Sequence, residues 1–286
     1  MKKNAILIFL LVGLGLSACF NYEAQFEGAY TDEDLGAGGQ LKKELVIAAG
    51  GTVYLTDPTL RSFDPIESTR NADIRLASIN FSHTQVLYKT PTGNIQIYDI
   101  AAATEVDEVP DSEAAIWFDF HHNNETVYFL DTEGLLHTYG PTVLARQPLD
   151  LKSLLGPTRS VEGAAILPGG EVVFSTFAFG SFNRRYLRRT NVALNEVEVN
   201  IETQSAARYF RLDSAATAVW VGNEFDNRLA SHVLPQLGRI EESSNYVLGA
   251  PQDVLTGFFV TQNNEIQRLD LVTIPSPGGI ITAIDF

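Results

Sequence analysis

The chain has 286 residues, of which 45% are hydrophobic and 10% aromatic, a composition typical of a folded protein with a large core. Its formal net charge of −15 at pH 7 argues against nucleic acid, a polyanion, as a general partner. The single cysteine, Cys19, excludes an intramolecular disulfide and a zinc site built from several cysteines.

Residues 1–18 have the layout of a secretory signal, since Lys2 and Lys3 precede an apolar run and small residues precede Cys19. The apolar run is too short to span a bilayer comfortably. The sequence LSAC at residues 16–19 resembles the lipobox of bacterial lipoproteins in residue types, order and position. This resemblance implies cleavage before Cys19 and acylation of the cysteine, which leaves no thiol for a disulfide-linked partner. The alternative is an ordinary signal peptide with an incidental cysteine.

The segment after the cysteine predicts a location and a tether. The residue after the cysteine is Phe20, whereas the resemblance to lipoproteins implies Asp at this position in a protein retained at the inner membrane. Phe20 therefore favours the outer membrane, with the protein facing the periplasm. Residues 19–43 contain an acidic cluster and a Gly-rich stretch but no strand or helix period, so they predict a flexible tether. The alternative is that Tyr22, Phe26 and Tyr30 dock on the folded domain.

A repeated unit organises the rest of the chain. Residues 76–100 read LASINFSHTQVLYKTPTGNIQIYDI, which predicts three short strands separated by polar turns, and residues 115–140 repeat this pattern. Such a unit cannot bury both faces alone, so radial stacking of copies predicts an all-β propeller. Positions equivalent to Phe81 are expected at Phe120, Leu167, Leu212, about Ala250 and Phe286. Their spacing is near the roughly 40 to 45 residues of a four-stranded blade, and it predicts six blades.

The two ends of this region complement each other. Residues 44–64 contain two predicted strands but lack the strand that opens the other units. The missing strand is expected at residues 280–286, IITAIDF, which match LASINF at residues 76–81. Pairing of the C-terminal strand with the N-terminal blade would close the ring and remove its free edges. The predicted propeller domain therefore spans residues 44–286.

These units resemble the propeller repeats of the TolB type and of bacterial WD-repeat proteins. The resemblance covers residues 44–286 and lies in the pattern of strands and turns. The first turn reads FSHTQ at residues 81–85, where that family usually carries Phe-Ser-Pro-Asp-Gly, and the Trp-Asp dipeptide of WD repeats is absent. The resemblance implies a six-bladed propeller and names no partner.

Four polar or charged side chains directly precede positions equivalent to Phe81, namely Asn80, Asp119, Arg211 and Asp285. They are expected around one mouth of the central channel. Some six-bladed propeller hydrolases of the gluconolactonase kind bind a divalent cation there. That resemblance implies a Ca²⁺ site at Asn80, Asp119 and Asp285, because calcium prefers such oxygen ligands. The alternative is that each Asx side chain caps its own turn. Arg211 would repel a cation.

Histidine and serine chemistry finds little support in the sequence. His83 and His122 fall in the first turns of neighbouring units, which predicts polar turn residues rather than metal ligands. The chain contains no Gly-x-Ser-x-Gly nucleophile motif.

One basic run, RRYLRR at residues 184–189, interrupts an acidic sequence. Strand alternation would put Arg184 and Arg188 on one face and Arg185 and Arg189 on the other. An outer edge strand is the favoured prediction, because charged residues discourage pairing between sheet edges. The alternative is a patch that binds an anionic partner, such as lipid head groups or an acidic protein surface.

These features favour a lipid-anchored protein of the bacterial cell envelope whose propeller is a non-catalytic protein-binding or scaffold module. One alternative is a periplasmic hydrolase or lactonase with a divalent cation at the channel mouth. Another is a purely structural envelope protein without a ligand site. Fold alone does not choose among them, because propellers include both binding proteins and enzymes.

Overall fold

The computed structural model describes residues 42–60, 62–122, 125–140, 147–155, 159–178, 184–203, 209–213, 215–223, 228–243, 246–251, 257–268 and 273–286. The predicted signal sequence, Cys19 and nearly all of the predicted tether lie outside these ranges. Within them, no helix combines the length and the hydrophobicity that crossing a membrane requires.

The described residues form six four-stranded antiparallel sheets. The first half of the chain contains β1 (Leu45–Ala49), β2 (Thr52–Thr56), β3 (Phe63–Pro65), β4 (Ala77–Ile79), β5 (Gln85–Lys89), β6 (Ile95–Asp99), β7 (Thr104–Val109), β8 (Ala115–Phe120), β9 (Val127–Asp131), β10 (Leu135–Tyr139) and β11 (Leu149–Asp150). The second half contains β12 (Arg159–Ile166), β13 (Val172–Ala178), β14 (Arg184–Thr190), β15 (Val197–Thr203), β16 (Tyr209–Leu212), β17 (Ala218–Asn223), β18 (Arg228–Val233), β19 (Gly238–Ser243), β20 (Tyr246–Pro251), β21 (Gly257–Thr261), β22 (Glu265–Arg268), β23 (Ile274–Pro275) and β24 (Ile281–Asp285).

Each sheet is one blade of a six-bladed β-propeller. Blade 1 has the strand order β24-β1-β2-β3, and blades 2 to 6 each use four consecutive strands, from β4–β7 to β20–β23. The innermost strands β24, β4, β8, β12, β16 and β20 contact one another in ring order, and β20 returns to β24. The predicted all-β fold and the predicted six blades are confirmed.

Strand β24 closes the ring as predicted. It pairs antiparallel with β1, with Ile284 opposite Ile47 and Asp285 opposite Val46. Ile47 and Ile284 are both fully buried, so the closure joins the N-terminal and C-terminal strands through the core as well as through backbone hydrogen bonds.

Burial falls from the inner strands of a blade to its outer edge. All five residues of β1 and of β9 are buried, because blades pack against both faces of these strands. Strand β7 lies at the edge of blade 2, and its sequence TEVDEV leaves every residue except Val109 exposed. The acidic residues of β7 discourage pairing with another strand at this edge.

The strand register corrects the repeat alignment in blade 2. Ile79 pairs with Val86 at the end of β4, as Phe120 pairs with Val127 at the end of β8. The counterpart of Phe120 is therefore Ile79, and the predicted equivalence of Phe81 and Phe120 is wrong by two residues. Equivalent residues of two blades are therefore identified by their position in the β-hairpin and not by the presence of an aromatic side chain.

The predicted edge position of the basic run is also wrong. Strand β14 pairs with β13 on one side and with β15 on the other, so it is the third strand of blade 4. The edge strand is β15, whose sequence VEVNIET alternates half-buried and exposed residues. The chain turns back at residues 191–196, and this turn adds a fourth strand outside the arginines.

Candidate functional site

A layer of side chains crosses the centre of the ring. In each of blades 2 to 6, the innermost strand pairs with the second strand of the blade, and we compare the residue that directly precedes the last of these pairs. This residue has an equivalent position in all five blades. These residues are Ser78, Asp119, Ala165, Arg211 and Ala250. Asp285 of blade 1 joins them, because Oγ of Ser78 lies 2.9 Å from its Oδ2. We call these six residues the channel layer.

Arg211 connects blade 5 to three blades across the ring. Its Nη2 donates to the backbone oxygen of Ala77 in blade 2 at 2.8 Å. Its Nη1 lies 3.1 Å from Oδ2 of Asp119 in blade 3, and its Nε lies 3.0 Å from Oδ1 of Asp285 in blade 1. The Arg211 side chain is only 1% exposed, so these ion pairs are shielded from water.

Small residues occupy the channel layer in the two blades that flank blade 5. Blades 4 and 6, which flank blade 5, carry Ala165 and Ala250 in the channel layer, and both alanines are buried. An alanine at each of these positions occupies less of the layer than a longer side chain would. Trp117 supports the guanidinium from blade 3, with Cζ of Arg211 4.6 Å from the centroid of the indole ring.

The two carboxylates of the channel layer also accept hydrogen bonds from neutral donors. The backbone N–H of Ile79 donates to Oδ2 of Asp285 at 3.0 Å, and that of Phe120 donates to Oδ1 of Asp119 at 2.8 Å. The hydroxyl group of Ser78 contacts both carboxylates. This density of donors stabilises charge in a buried site.

Two carboxyl groups sharing one guanidinium create an imbalance of charge. Burial raises the pKa of Asp119 above its usual value, although Arg211 opposes this effect. Burial raises the pKa of Asp285 to about 7, with Arg211 lowering it and Asp119 raising it further. Burial also raises the pKa of Tyr128 well above 10, so this neighbouring phenol stays neutral. One proton on Asp285 would make the cluster neutral.

The structure brings together Asp119, Arg211 and Asp285 but separates Asn80 from them. Asn80 lies two residues beyond the channel-layer position of blade 2. Its Oδ1 accepts the backbone N–H groups of Thr84 at 2.8 Å and Gln85 at 3.0 Å, so it caps the β4–β5 turn. In the described ranges, no three His, Cys, Asp or Glu side chains form a group suited to a metal ion. The Ca²⁺ site stays a prediction, and Arg211 supplies positive charge between its two aspartates.

Sequence reasoning missed Ser78 and Trp117 and treated Arg211 only as an obstacle to a cation. The available signal was the small residues at the corresponding positions of blades 4 and 6. That signal can be read only after the register is known, since Asp119 and Ala77 lie 92 and 134 residues from Arg211 in sequence.

The first-turn histidines connect neighbouring blades. The His122 ring of blade 3 packs edge-on against Phe81 of blade 2, with centroids 4.6 Å apart. The His83 ring of blade 2 packs against Phe286 of blade 1 at 5.0 Å. Burial lowers the pKa of His83 to about 4, and the charge of Lys42 lowers it further, so this histidine is neutral at pH 7. Both histidines lie in turns as predicted and also pack between blades.

Two grooves flank the β8–β9 hairpin on the face that carries the first turns. The groove between blades 2 and 3 has a volume of about 670 Å³ and contains Asp107 and Glu125, and we call it the acidic groove. The groove between blades 3 and 4 has a volume of about 560 Å³ and is lined by Leu136, Leu149 and Leu194 together with polar residues such as Thr138 and Gln147, and we call it the apolar groove. The two grooves differ in charge, because carboxylates line the first and none of the described residues that line the second carries one.

The four arginines of β14 divide between the two faces of blade 4, as alternation predicted. Arg189 binds Glu171 at 3.5 Å and Glu198 at 3.0 Å, and Arg185 packs over the Phe177 ring at 4.9 Å. Arg184 and Arg188 lie on the opposite face, on either side of Tyr186 in the strand. The anionic patch predicted for all four residues stays a prediction, and its members do not share one surface.

Comparison with known proteins gives the fold. No protein family and no curated protein matches the chain in sequence. A chain from a crystal structure of the mitotic checkpoint complex is similar, with a TM-score of 0.54, 12% identity, and coverage of 85% of this chain and 77% of that chain. A chain from a crystal structure of a nidogen–laminin complex is also similar, with a TM-score of 0.59, 9% identity, and coverage of 85% and 97%. At these identities, the likeness shows a propeller fold and nothing more specific.

Proposed function

We propose that the protein is a lipid-anchored component of the bacterial cell envelope whose propeller binds a partner protein without catalysing a reaction. The lipobox resemblance at residues 16–19 supports the anchor, and Phe20 after the cysteine favours the outer membrane as its location. The observation that carries the binding function is the pair of unlike grooves on one face of the ring. The two solved structures compared above are complexes, which agrees with a binding role.

The acidic groove suits a basic side chain of the partner. Asp107 and Glu125 contact this groove, and Val106 beside them is 49% exposed. A lysine or arginine entering the groove would meet the carboxylates, while its methylene groups would cover Val106. The net charge of −15 would also accelerate association with a basic partner.

The apolar groove suits an aliphatic or aromatic anchor from the same partner. Val192, in the β14–β15 turn, also lines this groove and is 66% exposed. Buried anchors in such grooves typically contribute most of the binding energy of an interface. A partner segment that crosses the β8–β9 hairpin could place one basic and one apolar residue in the two grooves.

The channel layer supports binding rather than hydrolysis. A hydrolase with a cation at the channel mouth needs carboxylates that are free to bind the metal. Here Asp119 and Asp285 are buried and bound to Arg211. The face with the grooves, by contrast, has open volume and mixed chemistry.

Site-specific crosslinking in cells tests the proposal. A photoreactive amino acid at Val192 or Val106 should capture one partner protein, while the same group at Thr92, in the β5–β6 turn on the opposite face, should not. With that partner purified, Val192→Glu should weaken binding at least tenfold and Thr92→Glu should not. Equal capture at Thr92, or unchanged affinity of Val192→Glu, would refute the proposed face.

A further inference from the structure

Three arginines surround Tyr186 on one face of blade 4. Arg184, Tyr186 and Arg188 alternate with the residues on the other face of β14. Arg159 joins them from β12, because it pairs with Ala178 of β13, which in turn pairs with Arg184. Only two of the four arginines in the basic run therefore belong to this cluster, and a third arginine joins from another strand.

Contacts to the phenol ring hold the cluster together. Cζ of Arg188 lies 4.8 Å and that of Arg159 lies 5.8 Å from the centroid of the Tyr186 ring. A hydrogen bond from Arg184 to the Tyr186 side chain raises the pKa of Arg184. Arg184 also forms an exposed ion pair with Glu202 at 3.4 Å, which water screens.

Arg188 lies at the buried end of the cluster. Its residue is 4% exposed, and its Nε donates to Oγ1 of Thr176 at 3.1 Å. Its Nη2 is buried and has no hydrogen-bond partner in the described part of the chain. Burial lowers the pKa of Arg188 to about 10, and the charge of Arg159 lowers it further. A buried guanidinium with an unused donor and a like charge beside it is unfavourable unless an anion compensates it.

Two other arginines with shielded side chains have carboxylate partners, whereas the half-buried Arg185 packs on the Phe177 ring. Arg211 binds Asp119 and Asp285, and Arg189 binds Glu171 and Glu198. The chain has 35 acidic against 20 basic residues, so carboxylates are abundant. Neither Arg159 nor Arg188 forms an ion pair with any carboxylate among the described residues.

We propose that Arg159, Arg184 and Arg188 form a binding site for a phosphate group, with Nη2 of Arg188 as its innermost donor. Guanidinium groups bind phosphate through paired N–H donors, and three of them match the three free oxygens of a phosphomonoester better than the two oxygens of a carboxylate. This chemistry is shared by inorganic phosphate and by a lipid with a phosphomonoester head group. The site is separate from the grooves of the proposed function.

Titration of inorganic phosphate into the purified full-length protein, at constant ionic strength set with chloride, tests the site. Arg188→Gln should bind phosphate at least tenfold more weakly than the wild type. Arg185→Gln is the matched control, because it removes the same charge from the opposite face of the same strand and should keep the wild-type affinity. Absence of phosphate binding by the wild type, or equal loss in Arg185→Gln, would overturn the proposal.

Thermal melting separates binding from folding. Without phosphate, Arg188→Gln should melt no lower than the wild type, because it removes an uncompensated buried charge. Phosphate should raise the melting temperature of the wild type and leave that of Arg188→Gln unchanged. If Arg188→Gln does not fold, Arg184→Gln, at the exposed end of the cluster, tests the site instead. We expect it to weaken phosphate binding about threefold or more. Wild-type affinity in that variant would refute the site.

Vesicles distinguish the two sources of phosphate. Wild-type binding to phosphatidylcholine vesicles should increase when phosphatidate, a phosphomonoester lipid, is added, and Arg188→Gln should lose this increase if the ligand is a lipid. Binding of inorganic phosphate without this increase assigns the site to a free phosphate. If neither probe distinguishes the wild type from Arg188→Gln, the inference is wrong.

Discussion

Nε of Arg211 lies 3.0 Å from Oδ1 of Asp285, although blade 6 separates the blades that carry them. Asp285 is the next-to-last residue of the chain and belongs to the strand that closes the ring. The propeller is therefore closed twice, by the pairing of β24 with β1 and by an ion pair across the channel. This second closure depends on one buried charge and can be tested by substitution.

We expect Arg211→Met to destabilise the protein strongly. The substitution would leave Asp119 and Asp285 buried without a counter-ion, a change that typically costs about 3 to 5 kcal/mol in the free energy of unfolding. Denaturant unfolding measures this loss. Arg184→Met, at a side chain that is 50% exposed, is the control and should change stability by about 0.5 kcal/mol or less. Similar small effects in both variants would show that the channel ion pairs contribute little.

Asp285 should make the stability of the protein depend on pH. Its pKa rises from 3.8 to about 7 on folding, so between these values the folded protein keeps a proton that the unfolded chain releases. This group therefore lowers the free energy of unfolding as pH rises from about 4 to about 7, by up to about 1.4 kcal/mol per pH unit, and has no further effect above that range. Asp285→Asn should remove this part of the pH dependence. Parallel stability curves for the two proteins would contradict the raised pKa.

Removal of residues 280–286 should unfold the propeller. The truncated chain would lose the innermost strand of blade 1, including the buried side chains of Ile281 and Ile284, each of which stabilises the fold by about 1.5 to 3 kcal/mol. It would also expose one edge of β1 and remove a partner of Arg211. Circular dichroism should show loss of the cooperative melting transition, and an unchanged melting curve would refute the role of β24.

Cys19→Ser should prevent anchoring. If the lipobox is processed, the mature wild-type protein begins at an acylated Cys19 and partitions into detergent or membranes. The variant should remain unprocessed or soluble. Mass spectrometry of the mature N-terminus measures the outcome directly, and a wild-type N-terminus at another residue without lipid would disprove the anchor.

The fold could be predicted from sequence because its determinants repeat locally. Alternating apolar residues and turn signals recur at each blade, and the match between residues 280–286 and 76–81 indicated which strand completes blade 1. These signals depend on burial along single strands, which a sequence displays without knowledge of distant contacts. The same logic predicted that the arginines of the basic run alternate between two faces.

The channel layer could not be predicted because its members come from different blades. Asn80 and Phe81 resemble Asp119 and Phe120 at the end of β8 in sequence, so the alignment matched Phe81 with Phe120. The correct match, Ile79, lies two residues earlier. The true counterpart of Asp119 is Ser78, and only the pairing of β4 with β5 identifies it. From sequence, Arg211 was expected only to repel a cation, whereas in the structure it forms ion pairs with Asp119 and Asp285 itself.

The melting temperature with and without calcium distinguishes a structural channel layer from a catalytic metal site most directly. Because Arg211 already binds both aspartates, we expect calcium to leave the melting temperature of the wild type unchanged, and we expect no hydrolysis of lactones or esters. An Asp119→Asn variant serves as the control. A calcium-dependent increase in melting temperature that Asp119→Asn abolishes, accompanied by calcium-dependent lactone hydrolysis, would contradict the non-catalytic function proposed for this propeller.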